Sequence, residues 1–151
     1  MLECYKMEYE AVKSVTPNLP VTTNLMGFYK NLDYKMWAKY MDVVAMGIII
    51  RQIEDTPAQI AMSHDLMRGI KGGTPFLLME QTPSVTNWLS YNALKRPGVM
   101  RLWSYQAVAH GADSVMFFQM RRSIGACEKL HGAIIDHVGT NQTRVYREAQ
   151  A

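Results

Sequence analysis

A short apolar run that ends in a carboxylate is the feature that most constrains the fold of this chain. The run 76–79 (FLLM) is followed by Glu80 and Gln81, and Pro75 and Pro83 flank the segment. It is too short for an isolated helix, which is marginal in water below about 12–15 residues. Its continuous apolar character predicts a parallel strand covered on both faces. Ligands and catalytic groups collect at the C-terminal ends of such strands, so Glu80 is the first candidate functional residue. The alternative is a Glu that merely enters a solvated turn.

Helical and strand-like segments alternate along the chain, which indicates an α/β fold with parallel strands and right-handed crossovers. Strands are predicted at 19–23, 42–46, 76–79 and 114–118, and helices at 1–15, 33–40, 56–70, 97–110 and 143–149. The segment that begins at Gly47 fits no element cleanly. An α/β barrel has eight strands and typically about 250 residues, so four strands in 151 residues fit half of one. A small doubly wound sheet is the alternative, although no Gly-x-Gly-x-x-Gly follows any predicted strand.

Composition and charge exclude several classes of function. Apolar residues make up 48% of the chain and charged residues 19%, as in an ordinary globular domain. The formal charge of +3 is scattered and forms no basic stripe, so nucleic acid is not an expected partner. No membrane span or signal peptide is recognisable, and we expect a cytoplasmic protein without a membrane partner. Two cysteines, Cys4 and Cys127, are too few for a disulfide framework.

The predicted strand ends carry few groups that could do chemistry. The candidates are Asn24, Met46, Glu80 with Gln81, and Gln119, whereas Asp42 and Asp113 precede their strands and face the opposite end of the sheet. Only one of these C-terminal groups is a carboxylate. Glycoside hydrolysis usually needs two. The second would be Glu128, on the loop after the fourth strand, or a residue outside this chain.

Three further groups have open interpretations. Glu128 and His131 are three residues apart and would share one face of a helical turn, where they could bind hydroxyl groups or, with Cys127 or His137, a metal. Trp88 in a polar loop is either a core side chain or a platform for the apolar face of a sugar. A third group, at 64–68 (HDLMR), predicts a surface ion-pair cluster of His64, Asp65 and Arg68.

Several long blocks of the sequence resemble glycoside hydrolase family 42, the β-galactosidases. The clearest are 76–84 (FLLMEQTPS) with Asn87-Trp88, 95–107 (KRPGVMRLWSYQA), 117–119 (FFQ) and 128–133 (EKLHGA), joined by 20–24 (PVTTN) and 64–68. The resemblance implies a retaining glycosidase with a (β/α)8 TIM-barrel catalytic domain and no cofactor. It implies that Glu80 is the nucleophile, which in the family follows the seventh strand. It also implies that Trp88, Glu128 and His131 line the galactose subsite.

The same resemblance predicts that the chain is only part of the enzyme. No stretch matches the motif after the fourth strand that carries the acid/base, so residues 1–151 resemble strands five to eight of a partial catalytic barrel domain. The first half of the barrel, the zinc-binding cysteine cluster of some members and the later domains have no counterpart. One departure concerns 46–51 (MGIIIR), where the family usually has an aromatic, polar turn.

The expected function is therefore hydrolysis of terminal β-D-galactosyl residues through a covalent intermediate on Glu80, with a β-galactoside as partner and with Asn24 and Gln119 beside the subsite. The alternative is a catalytically inactive, truncated half-barrel. Because an open barrel leaves two parallel edges unpaired, such a protein would self-associate, and a homo-oligomer is expected. A small metal-binding domain that uses Cys127, His131 and His137 is a third possibility.

Overall fold

The computed structural model describes residues 1–47 and 57–151. Helices and strands alternate within these ranges, as predicted. Their order is α1 (Leu2–Val15), β1 (Asn24–Leu25), α2 (Tyr34–Ala38), β2 (Val44–Gly47), α3 (Pro57–Ile70), β3 (Phe76–Gln81), α4 (Val99–Ala109), β4 (Ala112–Phe117), a 3-10 turn (Cys127–Leu130) and α5 (Arg144–Gln150). None of the helices in these ranges is both long and apolar enough to cross a bilayer.

The four strands form one parallel sheet in the order β1-β2-β3-β4. Each strand lies beside the strand that precedes it in the chain, so the sheet is wound in one direction. A doubly wound sheet reverses its strand order at a switch point, and the described part of the chain contains no such reversal. The prediction of an α/β fold with a parallel sheet is confirmed, and the sequential order favours the barrel interpretation over the doubly wound one.

The core lies between the sheet and the helices that connect its strands. Phe76 and Leu78 of β3 are completely buried in it, whereas Leu77 and Met79, on the other side of the strand, are only partly buried. Within the described residues, therefore, the strand is fully covered on one face, not on both as predicted. The same cluster gathers residues from the first four helices and from β1, β2 and β4, among them Tyr5, Leu25, Tyr34, Val44, Met67, Ala107 and Ala112.

The predicted strand at 19–23 is wrong, since β1 consists of Asn24 and Leu25 alone. The Asp42 N–H still donates to the Val21 carbonyl at 3.0 Å, but side chains take two other hydrogen bonds that a strand ladder would need. The Val21 N–H donates to Asp42 Oδ2 at 2.7 Å, and the Thr22 hydroxyl donates to the Val43 carbonyl at 2.6 Å. Asn24 is consequently a strand residue and does not follow a strand.

The other strands differ from prediction at their ends. Strand β2 begins at Val44, two residues later than predicted. Asp42 lies outside the strand because its carboxylate accepts hydrogen bonds from the Tyr9 hydroxyl and the Val21 N–H. Strand β3 extends through Gln81, whose carbonyl accepts from the Phe118 N–H at 3.0 Å. Strand β4 begins at Ala112 and so includes Asp113. Among the helices, the range of α3 from Pro57 is as predicted, while the proposed cap Thr56 lies outside the described residues.

The predicted surface cluster at 64–68 is also wrong for His64. This side chain is fully buried and packs against Phe76, with 5.5 Å between ring centroids. Asp65 Oδ1 lies 2.7 Å from Nδ1 of His110, the residue that follows α4. The spacing along α3 correctly placed these residues on neighbouring turns, but one of those positions faces the sheet.

Candidate functional site

Glu80 owes its orientation to a β-bulge in β3. From Leu78 to Gln81, β3 advances by three residues while β4 advances by two, from Val115 to Phe117. The pairing of β3 with β2 shows the same extra residue. Met46 pairs with Leu78, and the next residue of β2, Gly47, pairs with Glu80. Side chains alternate with a period of two, so a regular strand would bury Glu80 on the face of Phe76 and Leu78. The bulge turns it to the other face, as bulges beside active sites commonly do.

Asn24 and Glu80 meet over Gly47. A Cβ atom built on Gly47 would lie 3.5 Å from Asn24 Nδ2 and 3.7 Å from Glu80 Oε2. The three residues belong to neighbouring strands, and the missing side chain of Gly47 leaves room between the amide and the carboxylate. Within residues 1–47 and 57–151, no hydrogen bond or ion pair occupies the Glu80 carboxylate. The structure thus places Asn24 and Glu80 on either side of the same glycine.

Met46 is the strand-end candidate that the structure removes. Its side chain is completely buried in the core cluster, on the face of the sheet that the helices cover. The residue that takes its place beside Glu80 is Gly47, the last residue of β2. The sequence suggested Met46 because the predicted strand ended one residue too early.

The loop that follows β3 is buried next to the strand and exposed farther on. Thr82 and Ser84 are nearly inaccessible, at 1% and 8% exposure, whereas Trp88 is 51% exposed. Trp88 is therefore not a core side chain, and its role as a sugar platform stays a prediction. A buried loop needs partners for its backbone groups, and here the Val85 carbonyl accepts from the Gly132 N–H at 2.7 Å.

The loop after β4 is tied to the first loop by side-chain amides. Asn87 Nδ2 donates to the Cys127 carbonyl at 2.9 Å and to Glu128 Oε2 at 3.2 Å. Gln119, two residues after the end of β4, donates from Nε2 to the Glu128 carbonyl at 3.2 Å and accepts from the Ser123 hydroxyl at 2.8 Å. Each end of the Gln119 amide thus has a partner inside its own loop.

The helical turn that was predicted to carry both Glu128 and His131 contains only Glu128. The 3-10 turn ends at Leu130, and His131 has an extended backbone with φ −73° and ψ 143°. Glu128 is half-exposed, while His131 is 1% exposed and packs edge-on against Phe118 with 5.0 Å between ring centroids. The His131 Nδ1 is 3.0 Å from the Gly132 carbonyl, which places a proton on Nδ1 and leaves Nε2 as an acceptor. Nε2 is buried without a partner among the described residues.

The metal interpretation receives no support from the described part of the chain. No three His, Cys, Asp or Glu side chains in that part are grouped so that they could hold an ion. Cys127 is an exposed free thiol, and Nε2 of His137 lies 2.8 Å from the Ser123 carbonyl. Cys4 is a free, exposed thiol as well.

Three residues that support the site were assigned no individual role from the sequence: Gly47, Asn87 and Lys95. Lys95 is 3% exposed and donates from Nζ to the Thr82 carbonyl, two residues after Glu80. Its Nζ lies 4.6 Å from the centroid of the Trp103 ring. Burial lowers the pKa of Lys95 to about 7, against the opposing charge of Glu148. The pattern Lys95-Arg96-Pro97-Gly98 looks like a solvated turn, and no sequence signal distinguishes its buried first member.

Comparison with known proteins gives a consistent result. The sequence profile described as Beta-galactosidase, for glycoside hydrolase family 42, matches residues 1–151. Beta-galactosidase BgaP of Planococcus sp. (strain L4) is 62% identical over 98% of this chain, and Beta-galactosidase LacZ of Heyndrickxia coagulans is 50% identical over 98%. The chain spans 22% of the length of each of these relatives.

Solved structures agree in fold. The beta-galactosidase from Bacillus circulans sp. alkalophilus superposes with a TM-score of 0.94 at 65% identity, covering 97% of this chain and 22% of that one. The beta-galactosidase from Rahnella sp. R3 gives a TM-score of 0.87 at 47% identity, covering 95% of this chain and 22% of that one. The family is one of TIM-barrel glycosidases, to which the parallel four-stranded sheet conforms. On its full-length profile match, this chain belongs to glycoside hydrolase family 42.

Proposed function

We propose that residues 1–151 form part of the catalytic barrel of a retaining β-galactosidase in which Glu80 is the nucleophile. The observation that carries the proposal is the bulge in β3. It places the Glu80 carboxylate at the C-terminal end of a parallel sheet, beside the Asn24 amide, with no partner among the described residues. In barrel enzymes, the active site lies at this end of the strands.

The reaction divides into two displacements. Glu80 would attack the anomeric carbon of a terminal β-galactosyl group and form a covalent galactosyl-enzyme intermediate, which water then hydrolyses with net retention. A second carboxyl group must protonate the leaving oxygen and later activate the water. In retaining enzymes the two carboxyl groups stand about 5–5.5 Å apart. We assign the acid/base role to the part of the relatives that this chain does not span, consistent with strands five to eight being present here.

The two loops provide groups suited to a galactose subsite. The half-exposed Trp88 indole offers an apolar face on which a sugar ring can stack. The Glu128 carboxylate can accept hydrogen bonds from hydroxyl groups, and His131 Nε2 is a buried acceptor without a partner in the described part of the chain. Gln119 was predicted to bind substrate too, but the two bonds of its amide favour a role in holding Glu128 in place.

The proposal is tested by covalent labelling with 2,4-dinitrophenyl 2-deoxy-2-fluoro-β-D-galactoside. The activated leaving group departs without acid assistance, so the missing carboxyl group is not needed for the first step, and the fluorine slows release of the adduct. Intact-mass and peptide analysis should locate one fluorogalactosyl group on Glu80. Glu80→Gln is the matched control and should remain unlabelled, while Glu128→Gln should still be labelled on Glu80. Folded protein that acquires no label would refute the assignment of a working nucleophile.

Self-association is a second proposal, and it rests on the sheet edges. Strands β1 and β4 each have one strand neighbour within residues 1–47 and 57–151, so each presents an unpaired edge. Pairing of these edges between copies of the chain would give a homo-oligomer, whether or not the chain is catalytically active. Sedimentation velocity over a hundred-fold range of concentration should show the average mass rising with concentration. A monomer across the whole range would contradict it.

A further inference from the structure

The buried amino group of Lys95 lies directly behind the bulge that orients Glu80. Thr82, whose carbonyl accepts from Lys95 Nζ, is the first residue after β3. The Gln81 carbonyl is bonded to the Phe118 N–H, so these two contacts are successive restraints on the backbone just past Glu80. Since a bulge leaves its extra residue without a ladder partner, the backbone around it needs restraint from elsewhere. Lys95 supplies that restraint from the far end of the same loop.

The surroundings of Lys95 suit a fixed donor and not a solvated surface cation. The Trp103 ring of α4 faces Nζ at 4.6 Å, an arrangement that stabilises a cation by its quadrupole. From α5, Arg144 Nη2 donates to the Lys95 carbonyl at 3.0 Å, and Arg144 Nη1 pairs with Glu148 Oε2 at 3.0 Å. The other Glu148 oxygen is buried without a hydrogen bond in the described structure. Thr82, Trp103, Arg144 and Glu148 are therefore the groups around Lys95.

We propose that Lys95 is a positioning residue for the reaction: by binding the Thr82 carbonyl, it fixes the backbone after the β3 bulge and thereby the direction of the Glu80 carboxylate. The inference rests on the proposed function of Glu80 as nucleophile. It concerns the first displacement, in which the carboxylate oxygen must lie in line with the bond to the leaving group. Lys95 itself does not reach the substrate, since its amino group is directed to the loop backbone and the Trp103 ring.

This role gives the reaction a pH dependence that a purely structural residue would not give. Burial lowers the pKa of Lys95 to about 7, with Glu148 acting in the opposite direction. Above that pH, the amino group loses its charge, and its bond to the carbonyl weakens because charge-assisted hydrogen bonds are the stronger ones. An arginine in the same place keeps its charge throughout this range. The labelling rate of the native chain should therefore fall above about pH 7, whereas that of Lys95→Arg should stay level.

The chain offers a matched control in Lys71. Its Nζ also donates to backbone carbonyls, those of Ala38 and Met41, but these precede β2 and so lie at the opposite end of the sheet from Glu80. Lys71→Met and Lys95→Met each remove an ammonium-to-carbonyl contact. Only the second is expected to affect the nucleophile.

The experiment measures labelling by the same fluorogalactoside at several concentrations, which separates binding from the rate of the covalent step. Lys95→Met should slow the covalent step by at least about ten-fold, since a misplacement of about 1 Å can cost about 10²-fold. The concentration for half-maximal rate should change by less than a factor of three. Lys71→Met should match the native chain, and Lys95→Arg should recover most of the rate and lose the alkaline decline. Equal rates for folded Lys95→Met and the native chain, or equal slowing in both Met variants, would overturn the proposal.

Carboxyl carbon NMR makes the inference separable from the proposed function. The Glu80 signal is identified as the one lost in Glu80→Gln. If the native chain is not labelled at all, the proposed function fails, and the positioning role is then decided by this signal alone. A changed chemical shift in Lys95→Met, with no change in Lys71→Met, would support it, and unchanged shifts in both would refute it. If Lys95→Met does not fold, Lys95→Arg decides between the outcomes by two measurements. One is the pH profile of its labelling rate. The other is the chemical shift of the Glu80 signal, which should change between pH 6 and 9 in the native chain and stay constant in Lys95→Arg.

Discussion

Gly132→Ala tests whether the two loops that carry the subsite depend on one close backbone contact. A Cβ atom at Gly132 would lie 2.7 Å from the Val85 nitrogen, 2.9 Å from Ser84 Cβ and 3.1 Å from the Val85 oxygen. Two of these atoms are backbone and cannot rotate away, so the loops must separate. Separation would break the bond from the Gly132 N–H to the Val85 carbonyl, now 2.7 Å long.

The expected loss of stability has two contributions, the close contact of the new methyl group and the broken hydrogen bond. Overpacking costs about 1–3 kcal/mol, and a lost hydrogen bond about 0.5–1.5 kcal/mol, so the free energy of unfolding should fall by about 2–4 kcal/mol. For a domain of this size, that corresponds to a decrease in Tm of roughly 4–16 °C. Urea unfolding followed by tryptophan fluorescence measures the free energy directly. The preceding residue, His131, should lose its contact with Phe118, so labelling of Glu80 should weaken as well.

Gly125→Ala is the control for this prediction, because it lies in the same loop and has open space around the position of a Cβ atom. The change should alter the free energy of unfolding by less than about 0.5 kcal/mol, as is usual for surface substitutions. If Gly132→Ala were as stable as Gly125→Ala, the loops would be able to accommodate the methyl group. The close contact would then have no role in holding the site together.

Three further predictions concern single side chains. Trp88→Ala should raise the fluorogalactoside concentration for half-maximal labelling about 3–10-fold and change stability by less than about 0.5 kcal/mol, whereas an unchanged concentration would reject the platform. Burial, and secondarily the charge of His110, lowers the pKa of His64 to about 4. Between about pH 6.5 and 4, the His64 side chain therefore takes up a proton only in the unfolded chain. The free energy of unfolding should fall by up to about 3 kcal/mol on acidification, and by less in His64→Met. The hydrogen bond from Lys13, followed by that from the Val21 N–H, lowers the pKa of Asp42 to about 2. The stability it contributes is therefore present above about pH 4 and lost towards pH 2, and Asp42→Asn should cost about 1–2 kcal/mol at pH 7 with little further loss over that acid range.

Local signals in the sequence were sufficient where one element determines its own limits. Helix α3 begins at Pro57 and ends before Gly72-Gly73, as predicted. The apolar run 76–79 correctly predicted the strand β3 that carries Glu80. The signals failed where the deciding partner is distant. The segment 19–23 has strand-like residues, yet Asp42 takes the Val21 N–H, which a neighbouring strand would otherwise need. Such competition depends on a contact across 21 residues.

The bulge in β3 is the main feature of the site that the sequence does not reveal. Glu80 was correctly singled out as the residue at the end of a buried run, but a regular strand would have directed it into the core with Leu78. Register is a relation among three strands, and nothing within 76–81 specifies it. The burial of Lys95 was not predicted for a related reason: lysines are rarely buried, and its partner Thr82 becomes a neighbour only when the loop closes.

The contrast between Glu80 and Glu128 supports the proposal that the first of them is the nucleophile. Glu128 lies on a half-exposed 3-10 turn, and its Oε2 already accepts from Asn87 Nδ2 at 3.2 Å. Such a carboxylate is less precisely placed, which suits the proposed recognition of hydroxyl groups. Glu80 projects from a strand held on both sides by parallel neighbours, and its oxygens have no partner within the described residues. Sites built on strands are more precise than sites on loops. An in-line displacement demands that precision of its nucleophile, while a subsite can accept the looser placement of Glu128.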